Sequence, residues 1–342
     1  MYQKTLLLTT VTALHVAAHK FGYGKEDGPS KWRGVCQTGK RQSPVDIRAF
    51  EIEVAPLDPL LFLNYELTGH IHLANNGHTG ALGRTKENVA MRNVKKIEKT
   101  AAAAAASAAA AAAALPYAHY TGALCRLSVP KEGLSYCILE LRDVIGSGFE
   151  TWGQERPHIS GGGLNGTYQL SQFHFHWSQQ NDTGSEHTIA SLHYPGELHL
   201  VHIKKDPSPE EVNTIAVVAV FIRLDDHVGS LHSLKPYIQN IRMPKTELVV
   251  PGFSVNSLLP EHRENFYRYE GSLTTPGCDE AVVWTLMADP IMATPSQIRA
   301  FREVQFASGN PGHNWRPTQP LNGRKILFRP TITLRRTSGV FC

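Results

Sequence analysis

Nowhere does this sequence run for the ~18 consecutive apolar residues with side chains to match that a membrane span needs. Its one long uniform stretch, residues 101–114, is alanine broken by Ser107 and only weakly hydrophobic. It also lacks charge of one sign. The 34 Lys and Arg stand against 30 Asp and Glu, a near balance that gives no reason to expect nucleic acid as a partner. Cysteine is scarce: Cys36, Cys125, Cys137, Cys278 and Cys342 are too few for a disulfide scaffold, and their odd number leaves at least one unpaired within the chain. No internal repeat is visible outside the alanine tract. What is present is an ordinary globular composition, 342 residues with 42% apolar content, able to bury a substantial core. Histidine is the exception, with 17 residues, several crowded between His174 and His202.

The N-terminus reads Met1-Tyr2-Gln3-Lys4, then an apolar-leaning stretch to Val16, then Ala17-Ala18. Small residues at that point suit a signal peptidase, so residues 1–18 read as a signal peptide, with an N-terminal strand as the alternative. Export predicts a secreted, extracellular chain in which some cysteines pair. It also makes Asn165-Gly166-Thr167 and Asn181-Asp182-Thr183 glycosylation acceptors at Asn165 and Asn181.

From residue 19 to about 79, turn residues alternate with short apolar runs such as Leu60–Leu63 and His70–Leu73, which have strand length and turn flanks. A basic and alanine-rich segment at about 80–147 has no amphipathic stripe to dock it. It reads as an insertion into a single domain spanning 19–342, with a regulatory arm as the alternative. Beyond Phe149 the β pattern returns: Thr167–Trp177, Glu197–Ile203, Thr214–Leu224 and Ala281–Met287 are alternating or apolar runs rich in β-branched residues. Pro209-Glu210-Glu211 and Pro295-Ser296-Gln297 suit helix starts. The expected class is mainly β (α+β), with few helices.

Gln172-Phe173-His174-Phe175-His176-Trp177 carries the chemistry. In a strand, residues two apart share a face, so His174 and His176 present both imidazoles together while the aromatic residues point into core. Glu197-Leu198-His199-Leu200 repeats the device on a second strand, where Glu197 and His199 share a face. Three neutral imidazoles leave a tetrahedral metal one open position, the arrangement of a catalytic Zn2+ site rather than a structural one.

These stretches stand in one order with Gln42-Ser43-Pro44-Val45-Asp46-Ile47, Asn75-Asn76-Gly77-His78, Ser185-Glu186-His187-Thr188, Gly271-Ser272-Leu273-Thr274-Thr275-Pro276 and Asn314-Trp315-Arg316-Pro317. Together they resemble the alpha-class carbonic anhydrases over residues 21 to about 79 and about 148 to 328. The resemblance implies a large twisted, mostly antiparallel sheet with short peripheral helices. It also implies reversible hydration of carbon dioxide to bicarbonate and a proton by zinc-bound hydroxide on His174, His176 and His199. Zinc lowers the pKa of bound water toward neutrality, as is known of the carbonic anhydrases themselves.

By the same resemblance, Thr274 and Glu186 orient the hydroxide, and Gln172 and Glu197 orient ligand rings. Val201, Val217, Leu273, Thr275, Val282 and Trp284 line the substrate pocket. His78 relays the proton, with Tyr23 and Asn76 ordering the intervening water. Cys36 and Cys278 match a pair that is bridged in the secreted branch of the family. The partner is a small molecule, with neither nucleic acid nor a membrane span in the mature chain, and the oligomeric state is open. Where the family continues from His78 into a strand lining the cleft, this chain reads as passing straight into the insertion. A recognition module that keeps the fold without turnover is the rival reading.

Overall fold

Strict alternation in the histidine-bearing segments decides the architecture. The computed structural model describes residues 21–78, 80–84, 156–227, 229–307 and 312–331. The expected leader, Cys125, Cys137, Cys342 and most of the expected insertion lie outside these residues. In chain order the strands are β1 (Asp46–Ile47), β2 (Ile52–Val54), β3 (Leu60–Leu63), β4 (Thr68–Asn75), β5 (Gly80–Arg84), β6 (His158–Gly161), β7 (Tyr168–Trp177) and β8 (Thr188–Ile189). They continue as β9 (Gly196–Lys204), β10 (Ile215–Leu224), β11 (Glu247–Ser254), β12 (Phe266–Gly271), β13 (Val282–Met287), β14 (Ile291–Ala293) and β15 (Ile326–Arg329). Among the described residues three short α-helices accompany them, α1 (Val35–Thr38), α2 (Lys235–Ile238) and α3 (Pro295–Arg302).

Ten strands form one sheet in the order β2-β15-β12-β13-β10-β9-β7-β6-β3, with β14 added to β10. Most of its pairings are antiparallel; β10 with β13, β10 with β14, and β15 with β2 are parallel. The mostly antiparallel expectation therefore holds, in a sheet that is mixed. The inner strands β7, β9 and β10 are the longest and most buried. One sheet face, with Phe173, Phe175, Trp177, Leu198 and Leu200, packs on Ile238 of α2 and Ile298 and Phe301 of α3. Phe175 and Phe301 have ring centroids 4.8 Å apart. The other face carries the histidines beside a second apolar cluster of Val201, Val217, Val282 and Trp284.

The α3 start is as expected: Thr294 caps Gln297 N–H, Gln297 caps back, and Pro295 opens the first turn. The helix expected at Pro209 does not form. There β9 and β10 pair antiparallel up to Ile203 opposite Ile215, and the connecting residues fold back as a loop. Within that loop Glu211 N–H donates to the Ser208 carbonyl, and its carboxylate is held by Lys204. Sheet pairing at both ends overrides the local helix preference.

A second difference concerns the expected insertion. Residues 80–84 are not its beginning but β5, which pairs antiparallel with β4 and lies alongside β7. The strand after His78 is thus retained, because β4 offers it a free edge whose backbone groups need partners.

Candidate metal centre

Cross-strand register brings the three imidazoles together. His174 sits directly opposite His199, and His176 directly opposite Glu197. The ligand atoms of His174, His176 and His199 all lie within 4.8 Å of one another, and all three residues are buried. His176 Nε2 is 3.1 Å from His199 Nδ1, which is 3.3 Å from His174 Nε2. Two nitrogens at the edge of a tetrahedron around zinc, each ~2.0–2.1 Å from the ion, stand ~3.3–3.4 Å apart.

The second nitrogen of each ring is already occupied. His174 Nδ1–H donates to Gln172 Oε1 at 2.8 Å, and His176 Nδ1–H to the Asn314 carbonyl at 2.7 Å. His199 Nε2–H donates to Glu197 Oε1 at 2.7 Å. With the outer nitrogens protonated, the inner three carry lone pairs that point at one another. That arrangement repels itself unless a cation lies between them, so the donor set fits a divalent metal. Burial, joined by the neighbouring imidazoles, holds the rings neutral: His174 falls well below the usual histidine value and His176 falls to about 3. His199 is lowered by burial too, with Glu197 pulling it back.

Glu197 is the hub behind the rings. Its Oε2 accepts the backbone N–H groups of Glu186 and His187 at 2.9 and 2.8 Å, and its Oε1 accepts from the His187 and His199 rings. Burial alone would raise its pKa, but His187 and His199 outweigh it and hold the carboxylate well below its usual range. His187 in turn shares a 2.7 Å hydrogen bond with the Tyr269 hydroxyl, which donates to Ser43 Oγ. His187, Tyr269, Ser43 and the Asn314 carbonyl had no role in the sequence reading. Ser43, His187 and Asn314 stand in visible motifs and Tyr269 in none, and nothing in strand spacing says that a loop carbonyl 138 residues away will meet His176.

The segment carrying Thr274 is pinned from several sides. Ser272 Oγ accepts Ser43 N–H, Leu273 N–H donates to the Asp279 carbonyl, and Cys278 is bridged to Cys36. Gly271 is needed there, since a Cβ would lie 2.1 Å from Ser43 Oγ. The expected disulfide is therefore present, closing a separation of 242 residues. Such a cross-link contributes about 3–5 kcal/mol in the chain-entropy account.

Glu186 Oε1 accepts Arg316 N–H at 2.8 Å, and its Oε2 lies 3.5 Å from His176 Nε2. Burial pushes the Glu186 pKa up. Thr274 lies against the carboxylate and favours its ionised form, though Oε2 has no close hydrogen-bond partner among the described residues.

Beside His199 stands an apolar wall. Trp284 has its ring centroid 4.9 Å from that imidazole, and Val217 is in register with both Val201 and Trp284. Val282 is buried in the same cluster, and Leu273 packs against it half-buried; Thr275 is half-buried on the same turn.

His78 is not in direct contact with the triad. Its ring stacks on Phe21 with centroids 4.3 Å apart, and its backbone N–H donates to Asn76 Oδ1. Burial lowers its pKa while Asp27 and the Phe21 carbonyl pull it back. Tyr23 is buried and senses the Glu186 charge, although burial dominates the rise in its own pKa. Asn165 and Asn181 are both exposed. No helix among the described residues is long and apolar enough to cross a membrane.

The family profile of eukaryotic-type carbonic anhydrase matches residues 27–105 and 146–330, leaving 106–145 outside the match. A provisionally named carbonic anhydrase 5 of Caenorhabditis elegans is 33% identical over 332 residues, covering 95% of this chain and 86% of its own length. Carbonic anhydrase 7 of Homo sapiens is 30% identical over 326 residues, covering 91% and 98%. The mitochondrial carbonic anhydrase 5A of Homo sapiens is 39% identical over 183 residues, which is 50% of this chain and 60% of the relative.

Proposed function

The chain belongs to the eukaryotic-type carbonic anhydrase family, and from that premise we propose that it hydrates carbon dioxide reversibly at a zinc ion held by His174, His176 and His199. The observation that carries the proposal is the set of three buried ring nitrogens whose lone pairs converge. Zinc, when bound, supplies the positive charge that makes water acidic near neutral pH.

The chain does the rest. Three neutral imidazoles leave that charge uncompensated, which three thiolates would not. Gln172, the Asn314 carbonyl and Glu197 each hold one ring by its outer N–H, fixing tautomer and direction. The Thr274 hydroxyl donates toward Glu186 and so keeps a lone pair to accept from the attacking oxygen, selecting its orientation. Val201, Val217, Leu273, Val282 and Trp284, with Thr275 at the turn, receive a substrate that carries no net charge to be clamped. His78 relays the proton outward, with Tyr23 and Asn76 ordering water between, because an imidazole titrates near neutrality.

Secretion belongs to the same proposal. Its support is the leader-like N-terminus, the Cys36–Cys278 bridge and the exposure of both sequons. Residues 106–145 are read as an insertion into the single domain.

Stopped-flow hydration of carbon dioxide tests the activity. Turnover that a zinc chelator abolishes and added zinc restores supports it. A folded chain with one zinc and no turnover above buffer would overturn it and leave the recognition-module reading.

A further inference from the structure

Asparagine followed by glycine is a chemically labile pair, because glycine has no Cβ to keep its backbone nitrogen away from the asparagine side chain. The sequence holds three such pairs, Asn76-Gly77, Asn165-Gly166 and Asn322-Gly323. All three glycines have positive φ, yet the fold treats the pairs differently.

Gly77 is buried, its N–H donates to Asn75 Oδ1 at 2.9 Å, and a Cβ there would lie 2.8 Å from that of Ala307. Asn76 itself accepts His78 N–H on its Oδ1. Gly166 is exposed, but its N–H donates to the Leu164 carbonyl at 3.2 Å, and Asn165 Nδ2 donates to Glu211 Oε1. In both pairs the glycine nitrogen is already engaged.

The third pair is open. Arg324 N–H donates to the Leu321 carbonyl across a tight turn whose central residues, Asn322 and Gly323, have φ of 52° and 81°. Positive φ at both is the type I′ form, which favours Asn-Gly. Both residues are exposed, and Gly323 N–H makes no hydrogen bond among the described residues. Beyond its chain neighbours, no atom lies within 4 Å of where a Gly323 Cβ would stand.

This turn is also a clasp. Asn322 Nδ2 donates to the Lys40 carbonyl at 2.9 Å and Arg324 Nη2 to the Gln42 carbonyl, so together they hold residues 40–42 to the chain entering β15.

We propose that Asn322-Gly323 is a self-modification site at which the folded chain deamidates. The Gly323 nitrogen attacks Asn322 Cγ, a C–N bond forms, and the amide nitrogen leaves as ammonia with the proton that Gly323 N–H gives up. Water then opens the cyclic imide at either carbonyl, leaving aspartate or isoaspartate, with nothing oxidised or reduced. Each product lacks the amide that donates to Lys40, and isoaspartate lengthens the backbone of the turn by a methylene. Either way the clasp on residues 40–42 loosens. No group in it is a triad histidine or a ring partner of one.

The test is to incubate the full-length, unglycosylated chain at mildly alkaline pH in heavy-oxygen water, folded and in guanidinium chloride, and to follow each pair by peptide mass spectrometry. Label enters with the opening water, so deamidation during later digestion in ordinary water is told apart. Unfolded, the three pairs should convert at similar rates. Folded, Asn322 should stay within a few-fold of its unfolded rate, whereas Asn76 and Asn165 should slow by about tenfold or more, as a hydrogen bond must first open. Asn322→Gln should abolish labelling at this position, and Asn322→Asp, which carries one of the products, should lower the melting temperature. Protection of Asn322 as strong as that of Asn76, or faster conversion at Asn165, overturns the proposal; an unchanged melting temperature in Asn322→Asp overturns the clasp.

Discussion

The molecule buries two kinds of histidine within a few residues of one another, and the difference between them separates structure from chemistry. His187 and His202 have both ring nitrogens satisfied: His187 by Glu197 and Tyr269, and His202 by the Tyr65 hydroxyl at 2.5 Å and the Ala216 carbonyl at 3.1 Å. His174, His176 and His199 each have one nitrogen satisfied and the other turned toward its like, with Glu186 Oε2 3.5 Å from that of His176. All five are buried, His174 the least so at 9%. What distinguishes a ligand from a strut is the unmatched lone pair, since buried polar groups are otherwise paired.

The largest expected effect breaks the comparison from the ligand side. His174→Ala should lower carbon dioxide hydration by at least roughly 10³-fold and remove stoichiometric zinc, because the activated water is lost. His202→Phe, at a fully buried position, should keep one zinc per chain while costing about 1–3 kcal/mol of stability, as the Tyr65 hydroxyl loses its partner. Denaturant melts and metal analysis of the two variants read both halves. Equal zinc loss in both would erase the distinction.

Glu197→Gln sharpens it, since Glu197 serves one histidine of each kind. Zinc affinity should fall roughly 10- to 100-fold, the usual cost of losing an outer partner of a ligand. Competition against a chromophoric chelator measures this directly.

Serine replacement of both Cys36 and Cys278 acts on the frame and not on the rings. It should cost about 3–5 kcal/mol in unfolding free energy with zinc stoichiometry unchanged.

Smallest is Asp46→Asn. Burial would raise the Asp46 pKa, but hydrogen bonds from Thr188, Arg48 and Ser191 lower it to about 2. A group depressed on folding adds stability that is present above its unfolded pKa of ~3.9 and lost as pH falls toward 2. The variant should therefore lose a little stability at neutral pH and show a flatter decline between about pH 4 and pH 2, seen in urea midpoints against pH.

How much of this was legible in the sequence follows from the range of each interaction. Period-two alternation places His174, His176 and the aromatic residues between them on opposite faces, and β7 does the same. The repeated device on a second strand left room for His199 opposite the first pair, while the Cys36–Cys278 bridge and the roles within the site came from resemblance, not from spacing. The helix read at Pro209 failed because strand pairing on both sides fixed the loop. The strand at 80–84 was missed because a glycine-containing, basic stretch has no alternation to show, while the free edge of β4 captures its backbone. The Asn314 carbonyl was invisible because whether a ring nitrogen finds a partner is a property of tertiary surroundings that no local pattern encodes.

The central claim is most directly tested by X-ray absorption at the zinc edge of the purified chain, combined with metal stoichiometry. The account predicts one zinc with three imidazole nitrogens and one non-protein oxygen at ~2.0–2.1 Å. A zinc shell containing sulfur, or a folded chain that takes up no stoichiometric zinc with all three histidines intact, would contradict it.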